Sequence, residues 1–444
     1  MNQVENYFER VANDIKEKAP LYLKMSHQIH EKPELGNEEQ FACQLLTNLL
    51  KEEGFEVEID IATHPTGFIA RKKSQKEGSS IGILVEYDAL RGLGHACGHN
   101  IIAMMSIGAS LAISSVLDEL GGKVVVYGTP AEEGGPHGNA KESYVQEHLF
   151  DEVDVCMMIH PFHTTAPTQP TLAIVKPEFE FFGRPSHAGA APEKGINALD
   201  AMLLFYSGIN AMRQQMPPRV LIHGIITNGG EAPNIIPAYT KASFYIRAPK
   251  SDLCDIYKEK ILKIGQGAAL ATGCRFKYDD SLNRVREMFI IPSFENLFIE
   301  EANRLGLEVK TKDCKSIGST DAGNVSQVVP TIHPTIKICN DSITIHTEEF
   351  KQAAKSEAGD QAIIDGAIIL ARIAVRLLTD DDCLKLIKEE FQKIKEAHFS
   401  EVIEERGLRS PLFICSSTKR YIKGQKYTLM YNFLMNGRIF EAYE

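Results

Sequence analysis

The sequence predicts an α/β protein with a mostly parallel central sheet and a smaller α+β domain inserted into it. Short apolar runs alternate with helical periodicity over the first 173 residues, the pattern changes between residues 174 and 287, and the alternation resumes from residue 288. Apolar residues make up 43% of the 444 positions and charged residues 24%, a composition typical of globular proteins. These observations predict two domains, one of them discontinuous in the chain.

The first part of the chain alternates strand and helix patterns. Helical periodicity covers residues 4–53, with a break at 33–36. The next predicted elements are strands at 55–61, 67–71 and 81–87, a helix at 101–117, and strands at 123–128 and 153–159. Short apolar runs bounded by loop residues are typical of buried parallel strands, so we expect helices on both faces of the sheet.

The order of elements then changes to β-α-β-β-α-β, which is that of a ferredoxin-like fold. The predicted elements are a strand at 174–182, a helix at 196–215, strands at 220–227 and 239–247, a helix at 252–270 and a strand at 274–278. Residues 174–287 are therefore predicted to form the inserted domain.

The α/β alternation resumes after the insert with a helix at 294–305, a strand at 331–338 and a helix at 357–378. Residues 1–173 and 288–400 are therefore predicted to form one discontinuous domain, which ends in a charged, exposed helix at 380–399. Residues 401–444 form an extension whose structure the pattern does not predict, and the sequence is more basic and aromatic from about Arg406 onward.

Charge and cysteine content exclude several classes of protein. The formal net charge is 48 − 59 = −11, which argues against binding to nucleic acid or to an anionic membrane. The N-terminus is polar, unlike a signal peptide, and no apolar run has the length of a membrane span. The nine cysteines are scattered and odd in number, so we expect a reducing, cytoplasmic location.

Residues able to bind metal follow the predicted strands of the main domain. They are Asp88, Cys97, His99, Glu132, Glu133, His160 and His346. Taken singly, each has an ordinary structural explanation, such as a turn cap, a solvated loop or a core histidine. Because ligands of α/β sheets gather beyond the carboxyl ends of the strands, we expect these side chains to meet at one edge of the sheet.

This set of side chains fits metal-assisted hydrolysis. One thiolate, three imidazoles and one carboxylate suffice for two divalent ions with one bridging group. Two nearby cations lower the pKa of a shared water towards ~7, and a carboxylate that is not a ligand can transfer its proton to a leaving amine. Adjacent residues of an extended segment point to opposite sides, so Glu132 and Glu133 are expected to divide these two tasks. Asp88 is placed to orient a ligand imidazole.

A second group of polar residues lies in the inserted domain. His187 is in a tight Ser-His-Ala-Gly loop, Asn234 in a Pro-rich loop, and Arg247 at the end of a predicted strand. Each could be an ordinary loop or surface residue. Together they offer an imidazole for a developing oxyanion, and an amide and a guanidinium for a substrate carboxylate.

The motifs that carry these residues resemble the peptidase M20 family, in its amidohydrolase-like branch. The matching segments are GHACGHN, TPAEEGG, SHAG, NGGEAPNIIPAYTKASFYIRAP, GSTDAGNVS and HTEEF, spread over residues 5 to 395 in the order of the family. Within that branch the chain looks like the dipeptidases and the aminobenzoyl-glutamate hydrolase subunits. Asn100 stands where many members have Asp, which matches the dipeptidase-like subgroup. Arg91-Gly92 and residues 401–444 depart from the family pattern.

The resemblance implies a metallopeptidase-type catalytic domain and an inserted lid domain that forms a homodimer. It implies two divalent metal ions per chain, with zinc or manganese favoured and nickel or cobalt also compatible. The implied metal ligands are Cys97, His99, Glu133, His160 and His346. The other implied roles are Glu132 as general base, His187 as the lid histidine that supports the tetrahedral intermediate, and Asn234 and Arg247 as contacts of the substrate carboxylate. In some dimeric relatives the lid histidine serves the neighbouring subunit.

We therefore expect a metal-dependent hydrolase that cleaves the amide bond of a small dipeptide or N-acyl amino acid with a free carboxylate. An aminobenzoyl-glutamate-type amidohydrolase is the alternative within the enzyme class. A non-catalytic metal-binding homologue and a structural zinc protein are the alternatives outside it, although a structural site has four closed ligands and no spare carboxylate.

Overall fold

The computed structural model describes residues 3–281, 283–311 and 318–405. Its strands, in chain order, are β1 (Glu56–Ile61), β2 (His64–Lys73), β3 (Ser80–Val85), β4 (Lys123–Gly128), β5 (Val155–Met157), β6 (His160–Phe162), β7 (Ala173–Val175), β8 (Glu178–Phe182), β9 (Leu221–Asn228), β10 (Tyr239–Ala248), β11 (Arg275–Asp279), β12 (Thr331–Ile332) and β13 (Thr335–Lys337). Its helices are α1 (Gln3–Glu31), α2 (Gln40–Glu52), α3 (His99–Leu120), α4 (Ala140–Gln146), α5 (Ala198–Met212), α6 (Ser251–Thr272), α7 (Pro292–Arg304), α8 (Ala322–Ser326), α9 (Glu348–Ala353), α10 (Glu357–Thr379) and α11 (Asp381–Glu405). The predicted α/β class is confirmed.

A six-stranded sheet in the order β1-β2-β4-β3-β5-β12 forms the centre of the main domain. Strands β4, β3, β5 and β12 are parallel to one another, whereas β1 and β2 extend one side as antiparallel strands. The interiors of β3 and β4 are fully buried, which explains their continuous apolar sequences. The parallel strands bring the loops after Val85, Gly128 and Met157 to one edge of the sheet.

Helix α3 is the central helix of the main core and packs against α1 and α10. Its residues 99–113 are buried, so it is apolar on every side. The prediction that no segment reaches membrane-span length was wrong for α3, because small residues lengthen its apolar stretch. By length and composition alone α3 meets that criterion, but 89% of the relevant window is buried inside the fold, as in the core helix of a soluble protein.

The inserted segment has its own five-stranded antiparallel sheet, in which β8 lies between β11 and β10, and β10 also pairs with β9. This is the predicted ferredoxin-like arrangement, with its own core of Phe179, Phe181, Phe205 and Phe244. The single predicted strand at 174–182 is divided into β7 and β8. Pro177 lies between them and lacks a backbone N–H for the sheet, although its carbonyl accepts a hydrogen bond from Phe244.

Two further predictions required correction. The strand predicted at 331–338 consists of β12 and β13 separated by His333-Pro334, and β13 pairs with β6 in a separate small sheet. The helix predicted as exposed at 380–399 corresponds to α11, which buries Leu384, Ile387 and Phe391 against the main core. The extension from residue 406 onward lies outside the described residues, and the domain boundaries stay predictions.

Candidate metal centre

The loop between β3 and α3 carries Cys97 and His99 to the carboxyl edge of the sheet. His99 begins α3, and Gly98 between the two donors has a φ of +78°. A Cβ on Gly98 would lie 2.6 Å from the Pro161 side chain, so glycine is required at this position for both conformation and space. The tight loop thereby places a thiol and an imidazole next to β6, which begins with His160.

The five predicted metal ligands converge in space. Donor atoms of Cys97, His99 and His160 lie within 4.8 Å of one another, and so do those of Cys97, Glu133 and His346. Cys97 belongs to both groups, and its Sγ lies 3.5 Å from His160 Nε2. One thiolate shared by two sets of donors is the arrangement needed for a bridged pair of cations.

The chemistry of the buried donors fits divalent cations. His99 Nδ1 lies 2.8 Å from Asp88 Oδ1, while its buried Nε2 has no hydrogen-bond partner among the described residues. A buried polar atom without a partner is costly unless a ligand binds it. Burial and the charge of Glu133 raise the pKa of the Cys97 thiol well above its usual value, an effect that a bound cation reverses by favouring the thiolate.

Asp88 contacts two of the candidate ligands at once. Its Oδ1 is bonded to His99, and its Oδ2 accepts a hydrogen bond from the backbone N–H of Glu133 at 3.0 Å. The side chain is buried. Asp88 is therefore placed to orient the His99 imidazole, and it also connects the loop after β4 to the loop after β3.

We expect Asp88→Asn to weaken metal binding by about 10- to 100-fold, because partners that orient a ligand histidine contribute about that much. The amide keeps the size of the side chain but loses the charged acceptor for His99 Nδ1. A competition titration with a metal-binding dye would measure the change, with Asp118→Asn on α3 as control. An unchanged metal affinity would show that Asp88 has no such role.

The Glu132–Glu133 segment differs from the prediction. It is a bend rather than an extended strand, and Ala131 before it has a φ of +63°. As a result, both carboxylates reach within 4.8 Å of His99 instead of pointing to opposite sides. The bend is held by buried Glu39, which accepts a hydrogen bond from Ala131 N–H at 3.0 Å.

The two neighbouring carboxyl groups are nonetheless electrostatically different. Burial, followed by the negative charges of Glu133 and Glu86, raises the pKa of Glu132 well above its usual value. Burial alone would also raise the pKa of Glu133, but the adjacent His346 imidazole and the charge of His99 lower it. Divergent pKa values are what an acid–base residue beside a ligand carboxylate requires.

His346 reaches the cluster in a strained conformation. Its φ is +64°, and its backbone N–H donates to the carbonyl of Ala96 at 2.9 Å. Its Nε2 lies 3.0 Å from Glu133 Oε1. A positive φ in a residue other than glycine persists where the surrounding structure enforces it, and such residues are often found at functional sites.

The three predicted lid residues are not brought to this cluster. His187 is exposed, and its Nδ1 accepts hydrogen bonds from Gly189 and Ala190 N–H. Asn234 is exposed and its carbonyl accepts from Ala188 N–H, while Arg247 lies over the ring of Tyr245. In the described part of the chain, no hydrogen bond or ion pair joins His187, Asn234 or Arg247 to the candidate ligands.

The structure adds residues that the sequence analysis missed. Glu86 directly follows β3, and His333 directly follows β12 with its ring 5.5 Å from that of His160. The predicted strands at 81–87 and 331–338 contain both residues, so the carboxyl-end criterion did not select them, and only the observed strand ends at Val85 and Ile332 do. Lys141 and Asp321, which lie in one ion-paired cluster with Glu86, carry no such signal because neither follows a strand.

The insert and most of the chain match known proteins in sequence. The profile of the M20 peptidase dimerisation domain matches residues 174–268. The human Xaa-Arg dipeptidase is 34% identical over 415 residues, which cover 89% of this chain and 94% of the relative. One of the p-aminobenzoyl-glutamate hydrolase chains of Escherichia coli is 34% identical over 286 residues, which cover 57% of each chain.

Solved structures show the same fold at lower identity. A putative aminohydrolase from methicillin-resistant Staphylococcus aureus superposes with a TM-score of 0.68 at 18% identity, over 83% of this chain and 99% of that one. The Bacillus subtilis YXEP protein, described as a dinuclear metal-binding peptidase of the M20 family, gives a TM-score of 0.59 at 20% identity, over 82% and 99% of the two chains.

Proposed function

Because the chain belongs to the peptidase M20 family, we propose that it hydrolyses the amide bond of a small dipeptide or N-acyl amino acid with a free carboxylate. The observation that carries the proposal is the position of Cys97 in two adjacent donor groups, with Glu132 beside them. The relatives that support it are a dipeptidase and a chain of an aminobenzoyl-glutamate hydrolase.

The residues of the centre divide the work of amide hydrolysis. Cys97, His99, Glu133, His160 and His346 would hold two divalent cations, which, when bound, supply positive charge and a water of lowered pKa. Glu132 would accept a proton from the water molecule that attacks the substrate carbonyl. The same carboxyl group then returns the proton to the leaving nitrogen as the C–N bond breaks, so that an acid and an amine are released.

The lid residues would complete the site on the substrate side. His187 would donate a hydrogen bond to the developing oxyanion, and Asn234 with Arg247 would bind the free carboxylate. Because no hydrogen bond or ion pair among the described residues joins these three residues to the candidate ligands, the proposal requires lid closure or a partner subunit to bring them to the cluster. Zinc or manganese as the metal, and a cytoplasmic location, belong to the same proposal.

Hydrolysis of a small substrate panel tests this function. The panel contains dipeptides with basic, acidic and apolar C-terminal residues, aminobenzoyl-glutamate, and N-acyl amino acids, each with metal-loaded and chelator-treated protein. We expect turnover of at least one class, lost with the chelator and restored by zinc or manganese. No turnover of any class by protein carrying two metal ions would support the non-catalytic alternative.

We also propose that the insert mediates a homodimer through β9. Among the described residues this strand pairs only with β10, and its Ile225 and Leu221 side chains are 65% and 47% exposed. An unpaired edge with exposed apolar side chains is favourable for pairing with a second copy.

Ile225→Lys is expected to shift the equilibrium from dimer towards monomer, because it places a charge on the apolar edge of β9 that the dimer would bury. Light scattering coupled to size-exclusion chromatography measures the mass. Leu270→Lys, at an 87% exposed position on α6, is the matched control and should leave the mass unchanged. A dimer that is equally stable in both variants would place the interface elsewhere.

A further inference from the structure

A fully buried ion triad lies directly behind the candidate metal centre. Lys141 Nζ lies 2.7 Å from Glu86 Oε1 and 2.5 Å from Asp321 Oδ1. All three side chains are 0% exposed. They come from three separate parts of the chain: the residue after β3, the first turn of α4 and the residue before α8.

Stability alone is a poor explanation for this triad. Desolvating charges is costly, and replacing a buried ion network by apolar side chains is often neutral or stabilising. The triad contains two carboxyl groups and one ammonium group, so it carries one excess negative charge when both carboxyl groups are ionised. A buried excess of negative charge is favourable where a cation binds nearby.

The triad faces the metal centre through Glu86. Its second oxygen, Oε2, lies 3.4 Å from His99 Nε2, and neither atom has a hydrogen-bond partner among the described residues. In a neutral His99 whose Nδ1 proton is donated to Asp88, the Nε2 atom presents a lone pair to Glu86. A carboxylate oxygen and an imidazole lone pair this close repel each other unless positive charge is present.

We propose that Glu86 strengthens metal binding at the His99 side of the centre, and that Lys141, anchored also by Asp321, is the positioning residue that holds Glu86 there. Lys141 fixes one carboxylate oxygen and leaves the other facing His99 Nε2. The inference rests on the proposed metal centre. It adds Glu86 and Lys141, as residues that support metal binding, to the five ligands that the family resemblance implies.

Metal affinity separates this role from a purely structural one. The full chain is stripped with a chelator and titrated with zinc against a competing dye, so that both binding steps are measured without substrate. We expect Glu86→Gln and Lys141→Met each to weaken at least one step by about 10- to 100-fold. Asp321→Asn keeps the Glu86–Lys141 pair, so we expect it to change the metal affinity less than Glu86→Gln or Lys141→Met does.

Glu142→Gln is the matched control, because Glu142 is the next residue of α4 and is buried against Arg286 at 3.4 Å, away from the triad. It should lower the melting temperature of the metal-free protein and leave both affinities unchanged. If Lys141→Met does not fold, the isosteric Glu86→Gln variant carries the test.

The outcomes separate failure of the inference from failure of the proposed function. Wild-type affinities in folded Glu86→Gln protein would overturn the inference, as would an equal loss of affinity in Glu142→Gln. A wild-type chain that binds no pair of metal ions would instead overturn the proposed metal centre itself.

Discussion

Glu132→Ala is expected to lower kcat by about 10²- to 10⁴-fold while the protein still binds two metal ions, because general acid–base catalysis contributes about that much. The structure places this residue beside His99 and Glu133, and without metal ions burial and the charges of Glu133 and Glu86 raise its pKa well above the usual value. Bound cations lower that pKa, which leaves the carboxylate able to accept a proton. Steady-state kinetics on a substrate from the panel, with metal analysis of the same sample, measures both quantities.

The neighbouring carboxylate is the matched control for this experiment. Glu133→Ala removes a predicted ligand from the same bend, so it should lower metal content as well as turnover. Loss of metal in Glu132→Ala would instead identify Glu132 as a metal ligand. The geometry allows this outcome, because donor atoms of His99, Glu132 and Glu133 form a third group within 4.8 Å of one another. Full kcat in Glu132→Ala would contradict its assignment as general base.

Cys97→Ser is expected to reduce bound metal from two ions per chain to fewer than one. The thiol lies in both donor groups, so its loss removes one ligand from each cation at once. Serine keeps the shape but is not a thiolate ligand at neutral pH. We expect kcat/KM to fall by about 10³-fold or more, since the metal ions contribute several kcal/mol to transition-state stabilisation.

Cys156→Ala controls for the loss of a buried thiol elsewhere in the main domain. Cys156 lies in β5, is fully buried and belongs to none of the three donor groups. The Cys156→Ala variant should keep both metal ions and most of the activity. If Cys97→Ser still bound two ions, the thiolate would not bridge, and the arrangement of the centre proposed here would be wrong.

The location of the ligands could be predicted from local patterns. Cys97, His160 and His346 are far apart in the chain, yet each follows a predicted strand, and carboxyl ends of parallel strands meet at one edge. The geometry of the Glu132–Glu133 pair could not be predicted in this way. The extended conformation assumed for it is replaced by a bend after Ala131, which has a positive φ and donates a hydrogen bond to Glu39, a residue far away in the chain.

The sequence by itself determined the α/β class, the ferredoxin-like insert and the family, and it predicted the set of donor residues, because periodicity and residue type are properties of short segments. Only the tertiary structure decided that Cys97 is shared by two donor groups and that Lys141 is buried between Glu86 and Asp321. Such through-space contacts depend on how helices and strands distant in the chain pack together, and no local pattern records those distances.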